Sequence, residues 1–439
     1  MPELKDEMEV LVVGGGGREH AIVDALSRSP YRPELFVTPG NPGMRDLAQV
    51  LPGDVMDFEG ILETCKAEQI DFVVVSPDNP LCGGLVDYLE EEGFPCFGPS
   101  KKAARLEGSK AFAKAFMKEY GIPTASYEVF DSVAEAKAYI ENRSEEDFPL
   151  VLKADGLALG KGVSICPDRS TALEDLKLIM EDHKFGTSGD KVVIEEFMTG
   201  PEVSLLCLSD GKDYKVLLSS MDHKAVGEGN VGPNTGGMGV VAPNPYLTKE
   251  LENQVVRTIL EPTIRGMAKA GSPFKGCLFL GLMLTAEGPK VIEYNARFGD
   301  PEAEAILPML KSDLLALLVA CRKGNLADFE AEFYDGVSLT LMLCSEGYPG
   351  SYEKGKVIHF APEFTEKLDR GEIHLYHSGT AWNEEQKAFV TNGGRVLAIN
   401  ARGKDLDEAR ALTYGSALEV CFDGVFYRQD IGLMAYPDK

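Results

Sequence analysis

Basic side chains are scarce in this chain of 439 residues: 44 Lys and Arg stand against 70 Asp and Glu, a formal charge of −26. That balance speaks against a general nucleic-acid binder and against a binder of anionic membranes, both of which work through basic surface fields. It leaves small anionic substrates open, because salt screens surface charge beyond about 8 Å and a few lysines in a pocket still hold a phosphate. Cysteines are few and unpatterned, nine in all with no C-x-x-C pair, so reduced, mostly buried thiols in a cytoplasmic protein are expected. The six histidines have no spacing that would complete a zinc site with them. Long apolar runs are also missing. Val10–Val13 is too short for a secretory signal, and the longest run, Leu314–Ala320, is far below the ~20 residues that cross a bilayer. A soluble chain that stays in the cytoplasm is expected.

What is present is an ordinary globular composition, 44% hydrophobic and 26% charged, long enough for roughly three domains at about 150 residues each. Over 1–105 short apolar runs (Glu9–Val13, Leu35–Thr38, Phe72–Ser76, Cys96–Gly98) alternate with helix-like stretches (Arg18–Ser27, Gly60–Glu68, Gly84–Glu92). Continuous apolar strands between helices predict a parallel sheet covered on both faces. Over 106–325 the pattern becomes α+β. A helix starts at Ser109, a small lid of strands and helices falls at about 127–197, and a long helix is expected over Lys249–Ala270. Phe279–Thr285 and Lys290–Asn295 read as a hairpin turning at Glu287-Gly288. Residues 326–439 read as mostly strands with a closing helix, Leu406–Val420.

Three stretches carry chemistry. Gly14-Gly15-Gly16-Gly17-Arg18-Glu19 follows the first strand and opens a helix, where a dinucleotide fingerprint would sit. The G-x-G-x-x-G frame fails in both registers, with Glu19 or His20 at the third glycine, which weakens an NAD-dependent oxidoreductase reading. Backbone N–H groups at a helix start, with Arg18, still suit a substrate phosphate. The second stretch, Lys153 to Gly162, has three residues between Gly156 and Gly160 and a glycine, Gly162, after Lys161, so it is not a Walker loop. Set between two strands, it can fold over nucleotide phosphates, with Lys153 reaching the α/β-phosphates. The strand ending Glu195-Glu196-Phe197, followed by Glu202, suits adenine and ribose. The third stretch is Val291-Ile292-Glu293-Tyr294-Asn295. Strand periodicity puts Glu293, Asn295 and Arg297 on one face. Two hard oxygen ligands there suit magnesium, and the guanidinium could clamp a transferring phosphoryl group.

Lys110, Lys153, the Gly156–Gly162 loop, Glu195-Glu196-Phe197, Glu202 and Glu293-x-Asn295-x-Arg297 together resemble the ATP-grasp layout. More narrowly, the chain resembles the phosphoribosylamine–glycine ligases over nearly its whole length. The segments carrying this are Gly16–His20, Leu106–Lys110, Asp222-His223-Lys224, Pro233–Gly239 and Arg297–Glu302. Asp78 for the usual Glu, and Leu159 for a small residue, are its departures. The resemblance implies a Rossmann-like N-terminal domain over 1–105, an ATP-grasp core over 106–325 and a mostly β domain over 326–439. It implies ATP with magnesium, or manganese in its place, held by Lys110, Lys153, Gly156, Gly160, Lys161, Gly162, Glu195, Glu196, Phe197 and Glu202, with the metal on Glu293 and Asn295.

It implies ligation of glycine to 5-phosphoribosylamine through glycyl phosphate, with another ATP-grasp ligase or a carboxylase of purine biosynthesis as the alternative. Lys153, Asp222, His223, Lys224 and Arg297 are then the catalytic candidates. Gly16, Gly17, Arg18, Glu19, Asn234, Thr235, Gly236, Gly237, Gly299 and Asp300, with Arg297, would meet the substrates. The strand before Glu293 has no carboxylate for a second metal ion. A monomer is the expected state, with no further activity fused after the third domain.

Overall fold

The computed structural model describes residues 4–157 and 162–433. The predicted parallel sheet is there, five strands in the order Gln49–Val50, Glu34–Pro39, Glu9–Gly14, Phe72–Val75, Cys96–Phe97. Val10, Leu11, Val12 and Val13 are all buried, as a central strand covered on both faces requires. The strand order reverses at Glu9–Gly14, so the crevice beyond its carboxyl end receives the glycine run. The helix predicted at Gly84–Glu92 is Leu85–Glu91, and a further short helix, Asp78–Gly83, precedes it, the two meeting at Gly84 with φ of +99°.

The lid is a four-stranded antiparallel sheet in the order Tyr127–Phe130, Val192–Glu196, Leu150–Ala154, Val163–Cys166. It has its own small core, with Ala136, Ile140, Leu152 and Ile194 fully or almost fully buried. The long helix runs Lys249–Lys269 through a wide π turn at Val256–Leu260. The hairpin is Lys275–Thr285 with Gly288–Asn295.

The third region is not a separate sheet. Gly239–Ala242 pairs with Tyr214–Asp222 on one side and Val337–Ser345 on the other. One nine-stranded sheet therefore runs from the Gly288–Asn295 edge through to Arg395–Gly403 and Ile373–His377. The predicted strand at Lys356–Phe360 shrinks to His359–Phe360, and a helix, Pro362–Asp369, follows it. The apolar run at Leu314 belongs to the helix Leu314–Lys323, which is buried on every side from Leu314 to Cys321. Among the described residues no helix is long and apolar enough to cross a membrane. The nine cysteines are unpaired; seven are buried, Cys82 is half-buried and Cys421 is exposed.

Candidate active site

The site begins with an irregularity in the hairpin. Gly281 pairs with Glu293 and Leu282 with Val291, so Ile292 is one residue too many. This bulge changes which face the chain presents. Val291 points into the core, and under unbroken alternation through Ile292 the side chain of Glu293, two further on, would follow it. Instead Tyr294 and Ala296 are buried, while Glu293, Asn295 and Arg297 stand half-buried on the opposite face. The displaced carbonyl of Ile292 accepts a hydrogen bond from Lys153 Nζ at 3.1 Å.

Glu293 lies among four cations. Burial alone would push its carboxyl up, but Lys224, Lys153, Lys110 and Arg297 together hold it below the usual carboxylate range. It is therefore an anion at neutral pH, and its oxygens and the Asn295 carboxamide fit a hard divalent cation. Two side chains are few for such an ion, and nucleotide phosphates would complete the shell. Among the described residues no cluster of three His, Cys, Asp or Glu forms a metal site. The cross-strand neighbour of Glu293 is Gly281, which brings no second acid to this position; a Cβ there would lie 3.1 Å from Glu293 Cγ, a tight contact.

Near Glu293, Glu195 is buried between two lysines: Oε1 is 3.0 Å from Lys153 Nζ and Oε2 is 3.1 Å from Lys114 Nζ. Lys114 also donates to Thr124 Oγ1 at 2.8 Å, and burial pulls its pKa down to about 8 despite Glu195. Glu195, expected with Glu196, Phe197 and Glu202 around the adenine and ribose, is here the buried counter-ion of Lys153 and Lys114. Lys114 was missed, although it follows Lys110 by four residues on one helix, which places both on the same face. Glu196 is exposed and accepts from Ser126 N at 2.9 Å, while Phe197 is exposed beside it. Glu202 pairs with Lys224 at 3.0 Å and, more than burial opposes it, raises the lysine's pKa.

The base of the nucleotide loop is tied to the helix Lys110–Tyr120. Asp155 accepts from Ser109 Oγ at 3.0 Å and from Ala111 N at 2.7 Å, and Lys110 Nζ donates to Gly156 O at 3.0 Å. Gly156 leaves no space for a Cβ against Ser188. Gly162 lies beyond the loop tip and its carbonyl accepts from Ala154 N at 2.8 Å. Gly160 and Lys161, with Leu159, lie outside the described residues.

The other wall is made by segments from the first two regions. Gly16 N donates to Glu19 Oε2 at 2.7 Å, which caps the helix Gly17–Ser27. Arg18, buried, donates to Glu19 Oε1 at 2.6 Å and to Phe298 O at 3.3 Å, so the N-terminal glycine run is fastened to the Arg297–Glu302 turn. Gly16 faces Asp300, whose Oδ2 would lie 3.5 Å from an added Cβ. Arg297 donates to Phe298 O at 3.1 Å and pairs with Glu107 at 3.2 Å, while Glu107 accepts from Ala296 N at 2.8 Å. Gly237, at φ +115°, packs so closely that a Cβ would lie 2.5 Å from Pro301 and 2.7 Å from Asp222 Oδ1. Asp222 Oδ1 and Arg297 Nε are buried without a hydrogen bond among the described residues. Burial, reinforced by Glu302, raises the Asp222 pKa well above its ordinary value. Gly299 leaves no room for a Cβ against Glu302, which accepts from Ser204 Oγ at 3.1 Å. Asn234 is exposed, and Thr235 Oγ1 donates to Lys224 O at 2.8 Å.

His223 departs from its expected place. Its Nδ1 meets Gly239 O and its Nε2 accepts from Gly432 N, each at 3.1 Å, so both ring nitrogens are engaged by backbone. It braces the Gly239 strand and offers no free nitrogen to a substrate. Burial, with Arg428 nearby, pushes its pKa down to about 4. The folded state thus binds fewer protons than the unfolded one between about pH 6.5 and 4, and the stability His223 supplies above that window is lost as pH falls through it. His223→Gln, whose amide can serve the same two partners, should flatten this loss. Denaturant unfolding at pH 7 and pH 5 should show the wild type losing on the order of 1.4 kcal/mol per pH unit more than the variant.

The arrangement is that of a nucleotide-dependent enzyme of the ATP-grasp class: a small lid sheet, two lysines beneath it, and an acid and an amide side by side on the strand Gly288–Asn295. Comparison with known proteins narrows the class. The chain matches the phosphoribosylglycinamide synthetase N domain over residues 8–107, the ATP-grasp (A) domain over 108–303 and the C domain over 338–434. It is 45% identical over 428 residues to a phosphoribosylamine–glycine ligase of Agrobacterium fabrum, covering 98% of this chain and 99% of that one. The crystal structure of phosphoribosylamine–glycine ligase from Thermotoga maritima superposes with a TM-score of 0.82 at 34% identity, over 96% of this chain and 100% of the other. The biotin carboxylase domain of a Hydrogenobacter thermophilus 2-oxoglutarate carboxylase shares the fold, with a TM-score of 0.73 at 15% identity over 98% and 93% of the two chains. The chain belongs to the phosphoribosylglycinamide synthetase family and is an ATP-dependent ligase.

Proposed function

We propose that this chain joins glycine to 5-phosphoribosylamine with consumption of ATP, forming glycinamide ribonucleotide, ADP and phosphate. The observation that carries the reading is the contact of Gly237 with Pro301 and Asp222, which makes the Pro233–Gly239 loop and the Arg297–Glu302 turn one wall beside Glu293. Lys110, Lys153 and the glycine loop hold ATP. Glu293 and Asn295 hold magnesium, or manganese, which neutralises phosphate charge when bound. The glycine carboxylate attacks the γ-phosphorus in line and ADP leaves. The resulting glycyl phosphate is held by Arg297 and the Gly236-Gly237 backbone until the amine of phosphoribosylamine attacks its carbonyl carbon and phosphate departs. Catalysis is positioning and charge stabilisation, and no protein nucleophile is needed. The Gly16–Glu19 corner, at the same wall, takes the ribose phosphate through helix N–H groups.

ADP release with glycine and freshly generated phosphoribosylamine, each omitted in turn, tests this. Release should require glycine and should not be restored by bicarbonate. Full release without glycine would overturn the reading in favour of a carboxylase. The protein acts as a monomer in the cytoplasm, a placement supported by its unpaired, mostly buried thiols.

A further inference from the structure

Two side chains of the third region reach back into the site, and the reaction as described uses neither. Arg395, at the start of the strand Arg395–Gly403, donates through Nη1 to Gly236 O at 2.7 Å and to Asp300 O at 3.0 Å. Its Nη2 lies 2.8 Å from Asp300 Oδ1. Tyr348 Oη accepts from Gly236 N at 3.0 Å. Both backbone groups of Gly236 are thus held by one domain, while the third partner, Asp300, belongs to the turn that follows Arg297. The two clasping residues are themselves fixed together. Gly394, next to Arg395, lies so close under the Tyr348 ring that a Cβ there would overlap it. Ser345 fastens the same turn through Gly394 O at 2.8 Å and Gly393 O at 2.9 Å. A guanidinium suits this position because its planar fork reaches three acceptors in fixed directions, which an ammonium on a flexible stem does not.

We infer that Arg395 and Tyr348 are positioning residues that keep the Gly236-Gly237 loop shut over the acyl phosphate, so that ATP consumption stays matched to amide formation. The inference rests on the ligase reading above. A loop released from the clasp admits water, which attacks the carbonyl carbon of glycyl phosphate and returns glycine and inorganic phosphate. ATP is then hydrolysed with no amide formed. The nucleotide subsite lies across Glu293 from this loop, among Lys110, Lys153 and Glu195, and is left intact.

The test compares Tyr348→Phe, Arg395→Lys and Arg395→Met with wild type. The measurements are amide formation, ADP release, affinity for a non-hydrolysable ATP analogue and melting temperature. Tyr348→Phe removes one hydrogen bond and should slow amide formation roughly fivefold. Arg395→Met should slow it roughly 10²-fold, the scale of a misplaced reacting group, with Arg395→Lys between them. In each, ADP released per amide should rise above the wild-type ratio while analogue affinity stays unchanged. A merely structural role would lower activity with melting temperature and leave that ratio at its wild-type value. That result, or wild-type rates and ratio in both Tyr348→Phe and Arg395→Lys, would overturn the inference. A wild-type enzyme that releases no ADP on addition of glycine would instead overturn the ligase reading, and this inference with it.

Discussion

Glu293→Gln should lower turnover by roughly 10²-fold or more, the scale of losing one electrostatic contact to a transition state. The substitution keeps size and hydrogen-bonding capacity but removes the one charge among Lys224, Lys153, Lys110 and Arg297 that is placed to hold a cation. Two effects then add. The metal loses its anionic ligand, and four positive groups are left without their common counter-ion. The dependence on magnesium should therefore move to higher concentration as well as the rate falling. ADP release measured across a magnesium series reads both, and unchanged turnover at limiting magnesium would remove Glu293 from the metal site. Chelation of the divalent ion should abolish wild-type turnover and leave the fold intact, because Glu293 and Asn295 lie on a strand already held by its pairing with Lys275–Thr285.

Lys153→Met should be nearly as damaging, and for two separable reasons. Lys153 shares the buried carboxylate of Glu195 with Lys114, so its removal leaves that anion with one partner and should cost about 3 kcal/mol of stability. It also removes the cation expected at the nucleotide phosphates, which should lower turnover roughly 10²-fold even in the folded fraction. Lys114→Met separates the two. It breaks the same buried network and should cost a similar amount of stability, but saturating ATP should hold its turnover to within about tenfold of wild type. Paired denaturant titrations and saturation kinetics decide the matter. Equal kinetic losses in the two variants would mean that Lys153 acts only through Glu195.

Local pattern accounts for much of what could be read from the chain. Alternating apolar runs and helices announced the parallel sheet, and Glu287-Gly288 announced the hairpin that bears Glu293. Glycines and charges at close spacing marked the loop above Lys153 and the turn after Arg297. What stayed hidden depends on distant segments meeting. Gly239–Ala242 is a four-residue strand with no periodicity of its own, and it is what fuses the second and third regions into one sheet. Glu195 sits at a strand end, where acids are ordinarily solvated, and it is enclosed by Lys114 from a distant helix and Lys153 from the neighbouring strand. Arg395 is separated from Gly236 by 159 residues, and no spacing rule spans that distance. The bracing role of His223 was hidden for a related reason: its two backbone partners, Gly239 and Gly432, lie far apart in the sequence.

The extra residue at Ile292 makes the Glu293 face depend on how the strand is phased and not on its length. Deleting Ile292 would close the bulge into regular pairing with Lys275–Thr285 and set Glu293 directly after Val291, still on the opposite face. Glu293 and Asn295 would keep their side of the sheet, while Lys153 would lose its backbone acceptor. If Ile292 were kept but drawn into regular pairing, Glu293 would instead share the face of Val291 and Tyr294 would turn outward. A single missing codon would thus spare the Glu293 face and remove the Lys153 anchor, whereas a slip of one register step would turn that face inside out.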